Sequence, residues 1–85
     1  MSTIKLFANL RKIAGQKELN ITGSTLNTVL RRLVQQRSEL DDVILENGQI
    51  RPNIIITLNG KNVTDPNTSV KEEDTIAIFP PIAGG

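Results

Sequence analysis

At 85 residues the chain is the length of one domain, and folding buries roughly 60% of the surface of its unfolded form, leaving room for one core and little for a deep substrate cavity. Ten Lys and Arg stand against nine Asp and Glu, a net charge of +1, without the basic excess of a nucleic-acid binder or the polybasic run of a membrane-surface protein. With neither Cys nor His, disulfides, thiolate nucleophiles, zinc sites and histidine acid–base catalysis are excluded.

In chain order, Ile4, Leu6 and Ala8 alternate with Lys5, Phe7 and Asn9, the period of a half-buried strand. Leu10 to Ala14 breaks the alternation and Gly15 supplies a turn. Glu18 to Ile21 resumes it with Leu19 and Ile21 on one face, so the two runs read as a hairpin with a long connection. Ser24 and Thr25 are N-cap residue types. Behind them Leu26, Val29, Leu30, Leu33 and Val34 form one apolar stripe of an amphipathic helix. Arg31, Arg32 and Arg37 toward its far end suit the negative pole of the helix dipole. Glu39 to Glu46 reads as a second, shorter helical turn ending before Gly48, although the adjacent Val43, Ile44 and Leu45 fit either period.

Ile54 to Leu58 is the most β-branched run, and Asn59-Gly60 behind it is a strong hairpin signal, with Lys61 to Val63 as the returning arm. Asp65-Pro66-Asn67 is a turn, Thr68 to Val70 a very short strand, Glu72-Glu73-Asp74 a charged turn and Thr75 to Phe79 the last strand. Pro80-Pro81 ends the sheet, because proline cannot donate to a ladder. Met1 to Leu10 lacks an apolar stretch of signal-peptide length, and no segment approaches the ~20 apolar residues of a membrane helix, so the expected location is cytoplasmic.

One helix covering one face of a mixed sheet is the simplest way to bury both, an α+β pattern compatible with the β-grasp (ubiquitin-like) arrangement. It divides the chain into a folded domain, residues 1–79, and a tail, residues 80–85. The tail is Pro80-Pro81-Ile82-Ala83-Gly84-Gly85. With Gly at about 7% of residues, a terminal Gly-Gly arises by chance in roughly 0.5% of chains. A frayed end or a cloning scar is the bland alternative, but these glycines follow a strand and a diproline without a tag-like spacer. A terminal carboxylate, with a pKa of about 3.5, is ionised and must be activated before a nucleophile attacks it. Two glycines leave nothing to obstruct a confined channel in an activating enzyme. Pro80 and Pro81 would project the tail from the sheet.

Three stretches carry a more specific likeness: Ile4-Lys5-Leu6-Phe7-Ala8-Asn9-Leu10-Arg11 with Ala14-Gly15; Arg51-Pro52-Asn53 leading to Leu58-Asn59-Gly60; and Phe79 through Gly85. In these the chain resembles the ubiquitin-like sulfur carriers, the family containing the small subunit of molybdopterin synthase. Glu72-Glu73-Asp74 departs from the family's Asp-Gly-Asp in a turn remote from the chemistry. The resemblance implies that Gly85 is adenylated by an enzyme related to ubiquitin-activating enzymes. Sulfur from a cysteine desulfurase or rhodanese-type donor then converts the adenylate to a thiocarboxylate. Pro80, Pro81, Ile82, Ala83 and Gly84 insert into the large subunit of molybdopterin synthase, which supplies the catalytic side chains. The chain itself is then not an enzyme and binds no cofactor; ATP and Mg²⁺ belong to the activating enzyme. The same activated Gly85 could instead modify lysines of target proteins, or the sulfur could go to thiamine, cysteine or tRNA thiolation.

The only aromatics are Phe7 and Phe79. Both fall out of phase with the core positions Ile4, Leu6, Ile76 and Ile78, so both belong on the opposite sheet face. The family pairs its first and last strands side by side, which would put the rings together near the root of the tail as a partner interface. The alternative is a strand-end Phe folded over an edge. Arg11 resembles a basic family position that contacts a partner, with a solvated Arg as the plain alternative. Glu72-Glu73-Asp74 reads as an exposed turn rather than a metal site, and Gly60-Lys61 lacks the rest of a phosphate loop. A β-grasp RNA-binding module is disfavoured by the near-neutral charge and the lack of a stacking platform.

Overall fold

The structure, a computed structural model, describes residues 1–80. Strand β1 (Ser2–Leu6) buries Ser2, Ile4 and Leu6 and turns Thr3 and Lys5 outward. It pairs antiparallel with β2 (Glu18–Ile21), whose buried residues are Leu19 and Ile21. On its other side it runs parallel to the last strand, β7 (Thr75–Phe79), in the register Thr3 to Thr75 through Leu6 to Ile78. β5 (Ile55–Leu58) lies antiparallel beside β7, and the two-residue β6 (Lys61–Asn62) forms the edge, giving the order β2-β1-β7-β5-β6. The first and last strands are therefore central neighbours, in a mixed β-grasp sheet.

Helix α2 (Leu26–Gln36) covers one face. Leu26, Val29, Leu30 and Leu33 are fully buried and join Ile4, Leu6, Ile21, Ile56, Ile76 and Ile78 in one core. Of the two candidate caps Thr25 is the N-cap: its hydroxyl accepts from the Thr28 backbone nitrogen at 3.2 Å. Val34 packs only at the core's margin. Arg31 and Arg32 sit mid-helix, so the dipole expectation fails for them, whereas Arg37 is the C-cap residue and donates to the Gln36 carbonyl at 3.1 Å. Arg32 instead donates to the carbonyl and hydroxyl of Thr22, at 3.0 and 2.9 Å.

Three segments differ from the sequence reading. The connection between β1 and β2 is a short helix, α1 (Asn9–Ala14), which buries Leu10 and Ala14 and is closed by Gly15 at φ 75°. After α2, a 3₁₀ turn (Ser38–Leu40) leads into α3 (Asp41–Ile44). Leu45 and Glu46 then leave the helix as β3 (Leu45–Glu46), paired with β4 (Gln49–Ile50) around Asn47-Gly48. Leu40, Ile44 and Leu45 close the far end of the core. The expected strand at Thr68 to Val70 is a single bridge, Ser69 to Thr25.

Candidate functional site

Among the described residues no cluster of three Asp, Glu, His or Cys side chains could hold a metal ion. No helix among them is long and apolar enough to cross a membrane. On the helix side, a groove of about 470 Å³ runs between α2 and the β3–β4 turn. Its polar lining comes from Asn27, Arg31, Gln49, Thr64 and Asn67, with no carboxylate to act as acid or base.

The open sheet face is different. Phe79 is the last residue of β7, and Phe7 follows β1 directly, its backbone nitrogen donating to the Ile78 carbonyl at 3.3 Å. Because β1 and β7 run parallel with Leu6 opposite Ile78, the next residues leave the two strands on the same side. Their rings stack with centroids 4.4 Å apart and planes within 16°. Each ring covers a face of the other, so both are half-buried. Ala8 then takes φ 53° and ψ −133°, a costly conformation for a residue with a Cβ, as the chain turns into α1.

Arg11, the third residue of α1, folds back over Phe7. Its Nε donates to the Leu6 carbonyl at 3.0 Å, and its guanidinium carbon lies 5.5 Å from the Phe7 ring centroid, within cation–π range. Arg11 is exposed but oriented by two contacts. Lys5, Lys17 and Glu18 join Leu6, Phe7 and Arg11 around a shallow depression of about 310 Å³. The structure thus brings Phe7, Phe79 and Arg11 together in one patch.

It adds a residue that sequence reasoning missed. Ile55 pairs with Phe79 across β5 and β7 and is 45% exposed, extending the apolar surface. Its signal was present: if Ile54 and Ile56 point inward, Ile55 cannot. Pro80, half-buried, follows Phe79. Pro81, Ile82, Ala83, Gly84 and Gly85 lie outside the described residues. An apolar centre rimmed by the charged side chains of Arg11, Lys5, Lys17 and Glu18 can bury against another protein.

The family model described as the ThiS family matches residues 4–85. The small archaeal modifier protein 3 of Haloferax volcanii is 30% identical over 88 residues, covering 96% of each chain. The molybdopterin synthase sulfur carrier subunit of Arabidopsis thaliana is 33% identical over 85 residues, covering 96% of this chain and 80% of its own. The solution structure of the small archaeal modifier protein 1 of Methanosarcina acetivorans superposes with a TM-score of 0.89 at 36% identity, covering 99% of this chain and 95% of that one.

Proposed function

We propose, because this chain belongs to the ThiS family of ubiquitin-like sulfur carriers, that it carries sulfur as a thiocarboxylate on Gly85 and donates it as the small subunit of a molybdopterin synthase. The observation that carries this reading is the reach of the family match, which runs through Gly84 and Gly85 rather than stopping at the folded body. The likeness to the plant sulfur carrier subunit supports the pathway.

The chemistry follows from the group. The carboxylate is a weak electrophile while ionised. An activating enzyme using ATP and Mg²⁺ transfers AMP to it and releases pyrophosphate. The outer sulfur of a persulfide on a desulfurase or rhodanese-type donor then displaces AMP, and a thiol cleaves the resulting acyl disulfide, releasing the thiocarboxylate and leaving a disulfide. Residues 80–85 form the arm that reaches these active sites, while residues 1–79 form the body. Phe7, Phe79 and Ile55 bury against the activating enzyme and then the synthase large subunit, with Arg11 at the rim. The chain contributes no catalytic side chain, and the reaction takes place in the cytoplasm. Reconstitution tests the reading: the thiocarboxylated chain with a synthase large subunit should convert the cyclic pterin precursor to the dithiolene product. Failure with a large subunit that accepts another carrier would exclude the molybdopterin role.

A second reading is favoured by the likeness to two small archaeal modifier proteins. Here an amine displaces AMP from Gly85, and an isopeptide bond forms with a lysine of a target protein. Gly-Gly remnants on cellular lysines that vanish when the gene is deleted would establish it.

A further inference from the structure

The dipeptide Asn-Gly occurs twice, at Asn47-Gly48 and Asn59-Gly60. Each turns a two-residue hairpin, with φ 55° and 78° in the first and 52° and 87° in the second. Both asparagines are exposed. A following glycine has no side chain to keep its main-chain nitrogen from the asparagine side-chain carbonyl carbon. The other six asparagines precede Leu, Ile, Thr or Val, whose side chains hinder that approach.

What holds the two asparagines differs. Asn59 Nδ2 donates to Asp74 Oδ1 at 2.9 Å, and Asn59 Oδ1 accepts from the Thr75 backbone nitrogen at 2.9 Å. Its own backbone nitrogen donates to the Thr75 carbonyl at 2.8 Å, and its hairpin springs from β5, inside the five-stranded sheet. Asn47 has no side-chain hydrogen bond among those found in the described residues. Its hairpin has two-residue arms and forms a separate sheet. Beyond its arms the ribbon is braced only from Arg51, whose backbone nitrogen donates to the Ile44 carbonyl at 3.0 Å and whose side chain reaches the Asp42 carbonyl and Glu46, so its turn has fewer restraints than one that grows out of the main sheet.

We propose that Asn47 is a site of spontaneous deamidation, and that the clamp on Asn59 withholds the same chemistry from an identical dipeptide. When the β3–β4 turn opens, the Gly48 main-chain nitrogen attacks Asn47 Cγ. The new C–N bond closes a succinimide, and the Cγ–Nδ2 bond breaks, releasing ammonia that carries off the amide proton. Water then adds to either carbonyl, opening the ring to aspartate or isoaspartate. No oxidant, metal or enzyme is needed. Each event adds one negative charge, which takes the chain from its net +1 to neutral. The isoaspartyl route also adds a methylene to the main chain, so the two-residue turn no longer fits between Glu46 and Gln49.

The full-length protein, incubated at mildly alkaline pH and sampled over time, tests this. Conversion adds about 1 Da, peptide fragmentation assigns it to one asparagine or the other, and an isoaspartyl methyltransferase reports the isomer. In the folded protein Asn47 should convert about tenfold or more faster than Asn59, the ratio that 1.4 kcal/mol of retained hydrogen bonding supplies. In urea the two rates should converge, since the dipeptides are the same. Asp74→Ala should accelerate Asn59 while leaving the Asn47 rate unchanged; if that variant unfolds, the wild-type comparison still decides. Equal rates in the folded state, a faster Asn59, or a difference that persists in urea would overturn the proposal.

Discussion

A methyl group at residue 23 would reach into the core's entry. A Cβ on Gly23 would come within 2.7 Å of Val29 Cγ2 and 3.2 Å of the Val29 backbone nitrogen. Val29 is fully buried in α2 and its branched side chain has one good rotamer there, so it cannot step aside. Gly23→Ala should therefore lower the unfolding free energy by roughly 1–3 kcal/mol, read from urea titration; an unmoved midpoint would show that the approach to α2 relaxes instead. Asp74 has the opposite character, an exposed-side clamp set by polar contacts. The Asn59 amide first, then the Lys71 backbone nitrogen, with Lys71's charge, hold its carboxyl below the usual range against a smaller desolvation effect. A depressed folded value stabilises the fold above the unfolded value of about 3.9, and that contribution is lost as pH falls through the lower folded one. Asp74→Asn should reduce Tm at neutral pH and converge with wild type as the solution is acidified through that window. Parallel Tm curves down to strong acid would contradict the clamp.

At the scale of elements, parallel pairing of β1 with β7 decides where the site is, because it sets Phe7 beside Phe79. A double-mutant cycle with Phe7→Ser and Phe79→Ser should return a stability coupling of about 0.5–1.5 kcal/mol. The double variant, still folded, should bind the activating enzyme at least tenfold more weakly, the loss of about 1.4 kcal/mol expected of a central apolar anchor; unchanged affinity would remove the patch from the interface. The same elements show what was legible beforehand. Ser2–Leu6, Glu18–Ile21 and Thr75–Phe79 each bury one face only, so burial wrote an alternation into them, and the four buried residues of α2 wrote a helical period. Asn9–Ala14 spans under two turns, too short for a period to stand out, and its purpose, burying Leu10 and Ala14, is tertiary. The arms of the Leu45–Ile50 hairpin are two residues each, below the length of any alternation; only Asn47-Gly48 marked it, by the logic that found Asn59-Gly60. Ile55 was hidden in an unbroken apolar run, where hydrophobicity does not say which face a residue takes. The pairing of Phe7 with Phe79 was within reach of alternation plus a strand order, whereas the tilt of Arg11 across Phe7 required the unforeseen α1.

At the scale of the whole molecule, the body spends its apolar residues on one core and presents an aromatic and aliphatic patch where the last strand ends. On the function proposed above, the reactive group lies at Gly85 and the catalysts on other proteins, and the patch is the surface those proteins grip. Gly84 and Gly85 then matter for what they lack, and any side chain added there should obstruct activation without altering Tm. Intact mass after incubation with ATP, an activating enzyme and a sulfur donor tests this most directly. The account predicts a gain of about 16 Da, oxygen replaced by sulfur, that disappears when Gly85 is deleted while the fold is retained. A gain that survives that deletion, or no gain with an activating enzyme proven on a related carrier, would contradict it.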